Sequence, residues 1–226
     1  MTPATRLIPT VVLVLALRYS TPVNQPDAGH LALAGMALDG AVATSIEAPP
    51  IAVTATNRTP PFEGVLTLRV TPGSTVDLTQ VDPATPDGHP ATDPSGHRHA
   101  LVFLGNVSGI AVQDSRYAQP GWSLTGQASD LTTGAAAVPA KDVGWVPALA
   151  AGSDAEGTVT AGPTVEPGLK VPQSKGLAAP GTSLASAPAG SGLGTERVAA
   201  VLRLWIPDTS PAGVFTGTLT LTLTSG

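Results

Sequence analysis

Three histidines in one polar stretch are the residues of this chain best suited to bind a metal ion. His97 and His99 flank Arg98, and His89 precedes them. Residues two apart on an extended chain project to the same side, so the set has the geometry for a zinc or nickel site. The intervening arginine repels a cation, however, and a polar surface loop explains the same residues. We therefore expect no metal site and no cofactor.

Asp114 and Arg116 are the next candidates, because a carboxylate beside a polarised neighbour can act as a general acid or base. Two residues apart on a strand, they point the same way and are expected to form an ion pair or to fix a turn. No histidine lies near Asp114, and the sequence has no Gly-x-Ser-x-Gly, Ser-x-x-Lys or His-Glu-x-x-His motif. We expect no catalytic residues and predict that the protein is not an enzyme.

Three tryptophans are candidates for ligand contact, because an indole ring packs against the apolar face of a sugar. Trp122 shares a strand face with Leu124 and is expected in the core. Trp205 lies opposite the apolar face of its own strand, which predicts an exposed platform or a second packing surface. Trp145 lies at the edge of a loop-like stretch, and periodicity does not assign it.

The elements that position these residues are predicted to be strands. Alternating apolar and polar residues indicate strands at 51–55, 66–70, 101–104, 110–112 and 122–128. The stretches 81–100 and 148–191 have loop composition, with one short strand near 157–161 in the second. Residues 198–206 and 215–223 alternate most clearly, and we expect them to form a β-hairpin with an apolar face and a threonine face.

The composition limits both fold and function. The 226 residues include 25 Gly and 23 Pro, which interrupt helices, and only 12% are charged, with a net charge of −5. Such a chain is too apolar for wholesale disorder and too acidic for a nucleic-acid partner. The absence of cysteine excludes disulfides and thiol chemistry. We predict an all-β fold, a β-sandwich or an irregular barrel with long Gly/Pro-rich loops.

Residues 1–43 have features of an export signal. Arg6 precedes an apolar run at residues 7–17, which has the length of a signal core and is too short for a stable transmembrane anchor. A second apolar stretch, residues 31–43, ends in the small-x-small form of a cleavage site and would be the working signal if the true start lies downstream. We expect residues 1–43 to be an export region. The alternative is that residues 11–17 form a buried strand of the folded protein.

Several segments, in order, resemble the WxL domain, a C-terminal module of surface proteins of Gram-positive bacteria. That family couples an Asp-x-Arg element to a Gly-Trp-x-Leu strand and closes with a Thr/Leu-rich strand. The matching segments are residues 104–107, 112–116, 121–130 and 211–223, and residues 144–147 and 161–163 resemble variants of high-GC, actinobacterial organisms. The resemblance implies one WxL-like domain over residues 44–226. One departure is that Leu221-Thr222-Leu223 stands where the family has a second Trp-x-Leu.

The resemblance implies non-covalent binding to the cell wall, with peptidoglycan and other surface proteins as partners. Its signature residues here are Asp114, Arg116, Trp122 and Leu124, and strand alternation adds Trp205 as a ligand candidate. The sequence thus predicts a secreted, cell-surface, non-enzymatic binding or adhesion module. A structural subunit that binds another surface protein is the alternative. The third hypothesis is a carbohydrate-active enzyme, which would require a cleft with two convergent carboxylates.

Overall fold

Strands dominate the computed structural model of the protein, which describes the backbone of residues 10–16 and residues 64–72, 74–88, 100–134 and 136–226. Helix in this part is limited to two 3₁₀ turns, Ala140–Asp142 and Gly176–Ala178. The predicted all-β class is confirmed. The strands are β1 Thr10–Ala16, β2 Leu66–Val70, β3 Thr75–Asp77, β4 Thr79–Gln80, β5 Ala100–Asp114, β6 Trp122–Ala128, β7 Leu131–Thr133, β8 Ala136–Val138, β9 Val143–Leu149, β10 Thr160–Ala161, β11 Thr182–Ala187, β12 Gly194–Pro207 and β13 Thr216–Ser225.

These strands form two sheets. Sheet A has the order β10-β11-β6-β13-β1-β3, with β7 paired to β13 and β8 paired to β7. Sheet B has the order β2-β5-β12-β9, with β4 also paired to β5. Neither sheet closes on itself within the described residues, so the fold is sandwich-like and the barrel alternative is set aside. No helix in this part of the chain is long and apolar enough to cross a membrane.

Both sheets bury their apolar faces in one hydrophobic core. Strand β13 contributes Leu219, Leu221 and Leu223 from sheet A, and β12 contributes Leu202 and Leu204 from sheet B. Each fully buried leucine stabilises the fold by about 2 kcal/mol relative to an exposed one. The threonines of β13 lie on its other face, half-buried or exposed. The alternation of both strands is therefore as predicted.

The prediction that β12 and β13 form a hairpin is wrong. Strand β12 pairs with β5 and β9 in sheet B, whereas β13 pairs with β6, β7 and β1 in sheet A. A hairpin would place both apolar faces on the same side of one sheet. By crossing between the sheets after Pro207, the chain instead brings the two apolar faces together across the core.

The stretch 148–191 contains a strand that its composition does not predict. Strand β11 lies inside sheet A, between β10 and β6, and buries Leu184 and Ala185 completely. Its register shifts between Ser183 and Ala185, so buried residues follow one another and the alternation is lost. Serine and alanine also add little β-propensity. The short strand predicted near 157–161 is present as β10.

The strands predicted at 101–104 and 110–112 are parts of one strand, β5. Val198 of β12 lies opposite Ile110, and Ala200 lies opposite Val107. Between these pairs β5 carries two residues, Ser108 and Gly109, where β12 carries one, Ala199. Gly109 has φ of 72°, the left-handed conformation that such a bulge uses. Because the bulge shifts the alternation by one residue, the sequence pattern looks interrupted there.

Residues 10–16 form β1, which pairs with β13 from Thr10 opposite Thr222 to Ala16 opposite Thr216. The same strand pairs in parallel with β3. This placement agrees with the alternative expectation of a strand at residues 11–17. The export region at 1–43 stays a prediction, because the remainder of it lies outside the described residues. So do the strand predicted at 51–55 and the three histidines of the metal candidate.

Candidate functional site

Asp114 and Arg116 form an ion pair at the end of β5. The carboxylate of Asp114 is 1% exposed and accepts hydrogen bonds from Nε of Arg116 at 2.8 Å and from Nη2 at 2.7 Å. It also accepts the backbone N–H of Arg116 at 2.9 Å, which fixes the turn after the strand. A two-point contact between guanidinium and carboxylate is among the strongest polar contacts in proteins. Both predicted roles, ion pair and turn, are therefore present.

The guanidinium of Arg116 also joins the two sheets. Its Nη1 donates to Oγ of Ser225, and its Nη2 donates to the carbonyl of Gly121 at 2.8 Å. Asp114 belongs to sheet B, while Ser225 belongs to β13 of sheet A. With its carboxylate buried and fully engaged, Asp114 acts as a structural anchor in this arrangement.

Trp122 and Leu124 lie in the core, as the strand pattern predicts for Trp122. They are 2% and 0% exposed. Nε1 of Trp122 donates to the carbonyl of Gly192 at 3.4 Å. The tryptophan and the leucine of the Gly-Trp-x-Leu signature are therefore buried between the sheets and are not exposed to a ligand.

Trp145 is also in the core. It lies on β9 and is 0% exposed, although its neighbourhood in sequence has loop character. Its ring lies over Gly126, next to Leu221, the residue that replaces the second family tryptophan. Among the described residues its Nε1 finds no hydrogen-bond partner. Two of the three tryptophans thus serve packing.

Trp205 is the tryptophan that reaches the surface. It is half-buried on the outer face of sheet B, beside Val102 of the neighbouring strand β5. Together they line a groove of about 470 Å³, which we call the Trp205 groove. Its apolar part is completed by Leu104, and its polar rim carries Asp87, Lys170 and Arg203, with Val81 and Pro86 at the margin.

A short loop before β5 brings Asp87 and Pro86 to the groove. The N–H of Val81 donates to the carbonyl of Val102 at 2.9 Å, and the N–H of Val102 donates to the carbonyl of Gly88 at 3.3 Å. Between these ties, a carboxylate oxygen of Asp82 accepts the N–H of Ala84 at 2.8 Å. The Asp/Pro/Gly-rich stretch is therefore a loop, as predicted over its described residues 81–88, and it forms one wall of the groove.

Glu166 holds the two cations of the rim. Its carboxylate contacts Nζ of Lys170 at 3.0 Å and Nη1 of Arg203 at 3.7 Å. The three side chains are about one third exposed, and ion pairs of this kind contribute about 0–1 kcal/mol. The pairs therefore orient Lys170 and Arg203 while leaving their donors accessible to a ligand.

The groove combines an aromatic floor with charged donors and one acceptor. An indole face stacks on the C–H face of a sugar ring, and the rim groups match its hydroxyls. Asp87 is the one carboxylate that lines the groove in the described part of the chain. The sequence predicts Trp205 from strand alternation, and Arg203 follows from the same alternation. Asp87 and Lys170 come from distant loops and carry no such signal.

No protein-family model matches the chain, and no curated protein or solved structure matches it either. The resemblance to the WxL domain therefore stays a prediction that depends on the segments quoted above. The structure gives four of the predicted site residues, Asp114, Arg116, Trp122 and Leu124, positions in or against the core. Trp205 alone among them lines a surface groove.

Proposed function

We propose that this protein is a secreted, non-enzymatic module that binds the glycan of the bacterial cell wall, peptidoglycan, non-covalently at the cell surface. The Trp205 groove is the observation that carries the proposal. Its indole floor supplies the stacking surface, and Asp87, Lys170 and Arg203 supply hydrogen bonds to hydroxyl and amide groups. The WxL-like segments support the same proposal from the sequence.

The outer face of sheet B suits an extended ligand. The odd-numbered residues of β12 all lie on this face, because Val198, Ala200, Leu202 and Leu204 are buried on the other. Val201 lies on this face outside the groove and is 37% exposed. A chain of sugar rings that extends beyond the groove along β12 would therefore meet a further apolar side chain, Val201.

Co-sedimentation of the full chain with purified wall sacculi tests the proposal. We expect the wild-type chain to sediment with the sacculi. The Trp205→Ala variant should bind at least about tenfold more weakly, because aromatic anchors dominate such interfaces. Tyr117→Ala is the matched control, since Tyr117 is 77% exposed and lies outside the groove. A wild-type chain that stays in the supernatant, or equal binding by all three, contradicts the proposal.

A structural subunit that binds another surface protein is the second candidate. The exposed Leu104 and Val201, which lie on the same sheet face as Trp205, favour it, because a protein partner would cover apolar side chains on a sheet face. Co-purification of a defined surface protein with the wild-type chain, lost in Trp205→Ala and without sacculus binding, would favour this candidate over the first.

A further inference from the structure

A second groove lies on the outer face of sheet B, at the end opposite to Trp205. It has a volume of about 750 Å³, and Arg69, Arg197, Thr71, Gln113 and Thr195 supply its polar side chains. Its floor includes Ala111 and Gly109 of β5. We call it the Arg69–Arg197 groove. No signature residue of the sequence analysis lies in it.

The strand register brings the two arginines to this groove. Arg69 of β2 and Arg197 of β12 both lie opposite Ala111, one on each side of β5. Adjacent strands are about 4.8 Å apart, so the two arginine backbones are about 10 Å apart across a methyl group. Two long side chains that flank a small residue can close on a group bound above it.

Both arginines keep donors that no described residue uses. Neither forms an ion pair within the described part of the chain, where Arg116, Lys170 and Arg203 supply the cations of the pairs. Nε of Arg197 donates to the carbonyl of Gly152 at 3.1 Å, which orients the side chain and leaves its terminal nitrogens unused among these residues. The lining of the groove contains no carboxylate.

The electrostatics of this site favour an anion. The chain carries a net charge of −5 and only 11 lysines and arginines, yet two arginines line this one groove. A guanidinium presents a planar fork that matches the geometry of a carboxylate or a phosphate.

We propose that the Arg69–Arg197 groove binds an oxyanion, a carboxylate or phosphate group of a hydroxyl-rich ligand. The forks of Arg69 and Arg197 hold the anionic oxygens above Ala111. Thr71, Thr195 and Gln113 face the same space and donate to, or accept from, neighbouring hydroxyl groups. The site takes a single charged group, and this proposal does not rest on the glycan-binding function of the Trp205 groove.

Titration of the full chain with glucuronate, glucose 6-phosphate and glucose, followed by amide NMR shifts, tests the proposal. We expect the anionic sugars to shift the amides of Ala111 and Gln113 at concentrations where glucose does not. A response to glucuronate alone identifies a carboxylate site, and a response to the phosphate alone identifies a phosphate site. No response to either, or an equal response to glucose, overturns the proposal.

Variants then separate a specific fork from general charge. We expect Arg69→Gln and Arg197→Gln each to weaken binding about tenfold or more, and Arg69→Lys and Arg197→Lys also to weaken it, because the planar fork is lost. Lys175→Gln is the control, since it removes one exposed charge outside the groove. Equal weakening by Lys175→Gln overturns the proposal. Retained spectral dispersion shows that each variant is folded.

Discussion

At the scale of the residue, the Asp-x-Arg element illustrates how a polar signature serves the fold. Asp114 is buried, and Arg116 satisfies it while reaching Ser225 and the carbonyl of Gly121. A buried carboxylate without its partner is costly, because neither water nor another cation compensates its charge. Arg116, two residues after Asp114, therefore links the end of β5 in sheet B to β13 in sheet A.

Replacement of Arg116 by alanine is expected to lower the free energy of unfolding by about 3 kcal/mol, because Asp114 is then left buried and unpaired. Urea unfolding measures this change. Ser225→Ala is the matched control, since it removes one of the hydrogen bonds of Arg116 and is expected to cost about 1 kcal/mol. Equal losses in the two variants would show that the ion pair contributes nothing beyond that hydrogen bond.

Asp142 is a second buried carboxylate, and in its case burial outweighs the interactions that favour the charged form. It is 3% exposed and accepts the N–H of Leu169 at 2.9 Å. Desolvation by burial raises the pKa of Asp142 above its ordinary value of 3.8, against the lowering effects of Lys141 and of the Leu169 hydrogen bond. The folded protein therefore binds this proton more tightly than the unfolded chain does.

The sign of the resulting pH dependence follows from linkage. The contribution of protonated Asp142 is fully present below the unfolded pKa and is lost as pH rises through the higher folded pKa. Asp142→Asn keeps an oxygen acceptor for Leu169 without a charge, so we expect it to be more stable than the wild type at pH 7. The advantage should disappear as the pH falls to the unfolded pKa.

Thermal unfolding between pH 3 and 7 measures this difference. Asp77→Asn is the control, because Asp77 is exposed on β3 and its substitution should change stability little. An Asp142→Asn variant less stable than the wild type at pH 7 would mean that the ionised carboxylate stabilises the fold.

At the scale of the element, the packing of β6 against β9 depends on Gly126. A Cβ atom at this position would lie 2.6 Å from Cη2 and 2.8 Å from Cζ3 of Trp145. The indole is completely buried, and a close-packed interior leaves it little room to move. The close approach of strand and ring therefore requires glycine.

Gly126→Ala is expected to lower the free energy of unfolding by about 1–3 kcal/mol, the usual cost of overpacking a core. Gly134→Ala is the matched control, because a Cβ there would meet no atom within 4 Å, and we expect a change within about 0.5 kcal/mol. Chemical denaturation compares them. A tolerated Gly126→Ala would show that Trp145 moves aside easily.

The sequence predicts those strands in which apolar and polar residues alternate without interruption. Strands β2, β6, β12 and β13 each have one apolar face, so burial follows every second residue. Bulges interrupt this relation in β5 and β11, and β9 buries residues on both faces. The sheet to which β12 and β13 belong depends on contacts across the core, which periodicity does not contain.

The candidate site residues also differ in whether strand alternation predicts them. Trp205 and Arg203 follow from the outward positions of β12, and Trp122 follows from its inward positions. The Arg69–Arg197 groove depends on the register of three strands that are far apart in sequence. A single sequence carries no signal for that register, so the groove appears only in the structure.

At the scale of the whole molecule, the outer face of sheet B carries both proposed sites. Arg197 and Arg203 lie on the same face of β12, six residues apart, which corresponds to about 20 Å along a strand. An extended wall glycan with charged substituents could contact both grooves at once. Affinity for such a ligand would then exceed that for either group alone, because the second contact is intramolecular.

The three tryptophans of the chain can be followed separately, which tests directly whether Trp205 is a ligand platform while Trp122 and Trp145 are core. The measurement is the indole N–H NMR spectrum of the full chain during titration with soluble peptidoglycan fragments. We expect the Trp205 signal, identified by its loss in Trp205→Phe, to shift with the ligand while the other two stay unchanged. An unchanged Trp205 signal at saturating ligand, or a shift confined to Trp122, would contradict the proposed role of Trp205.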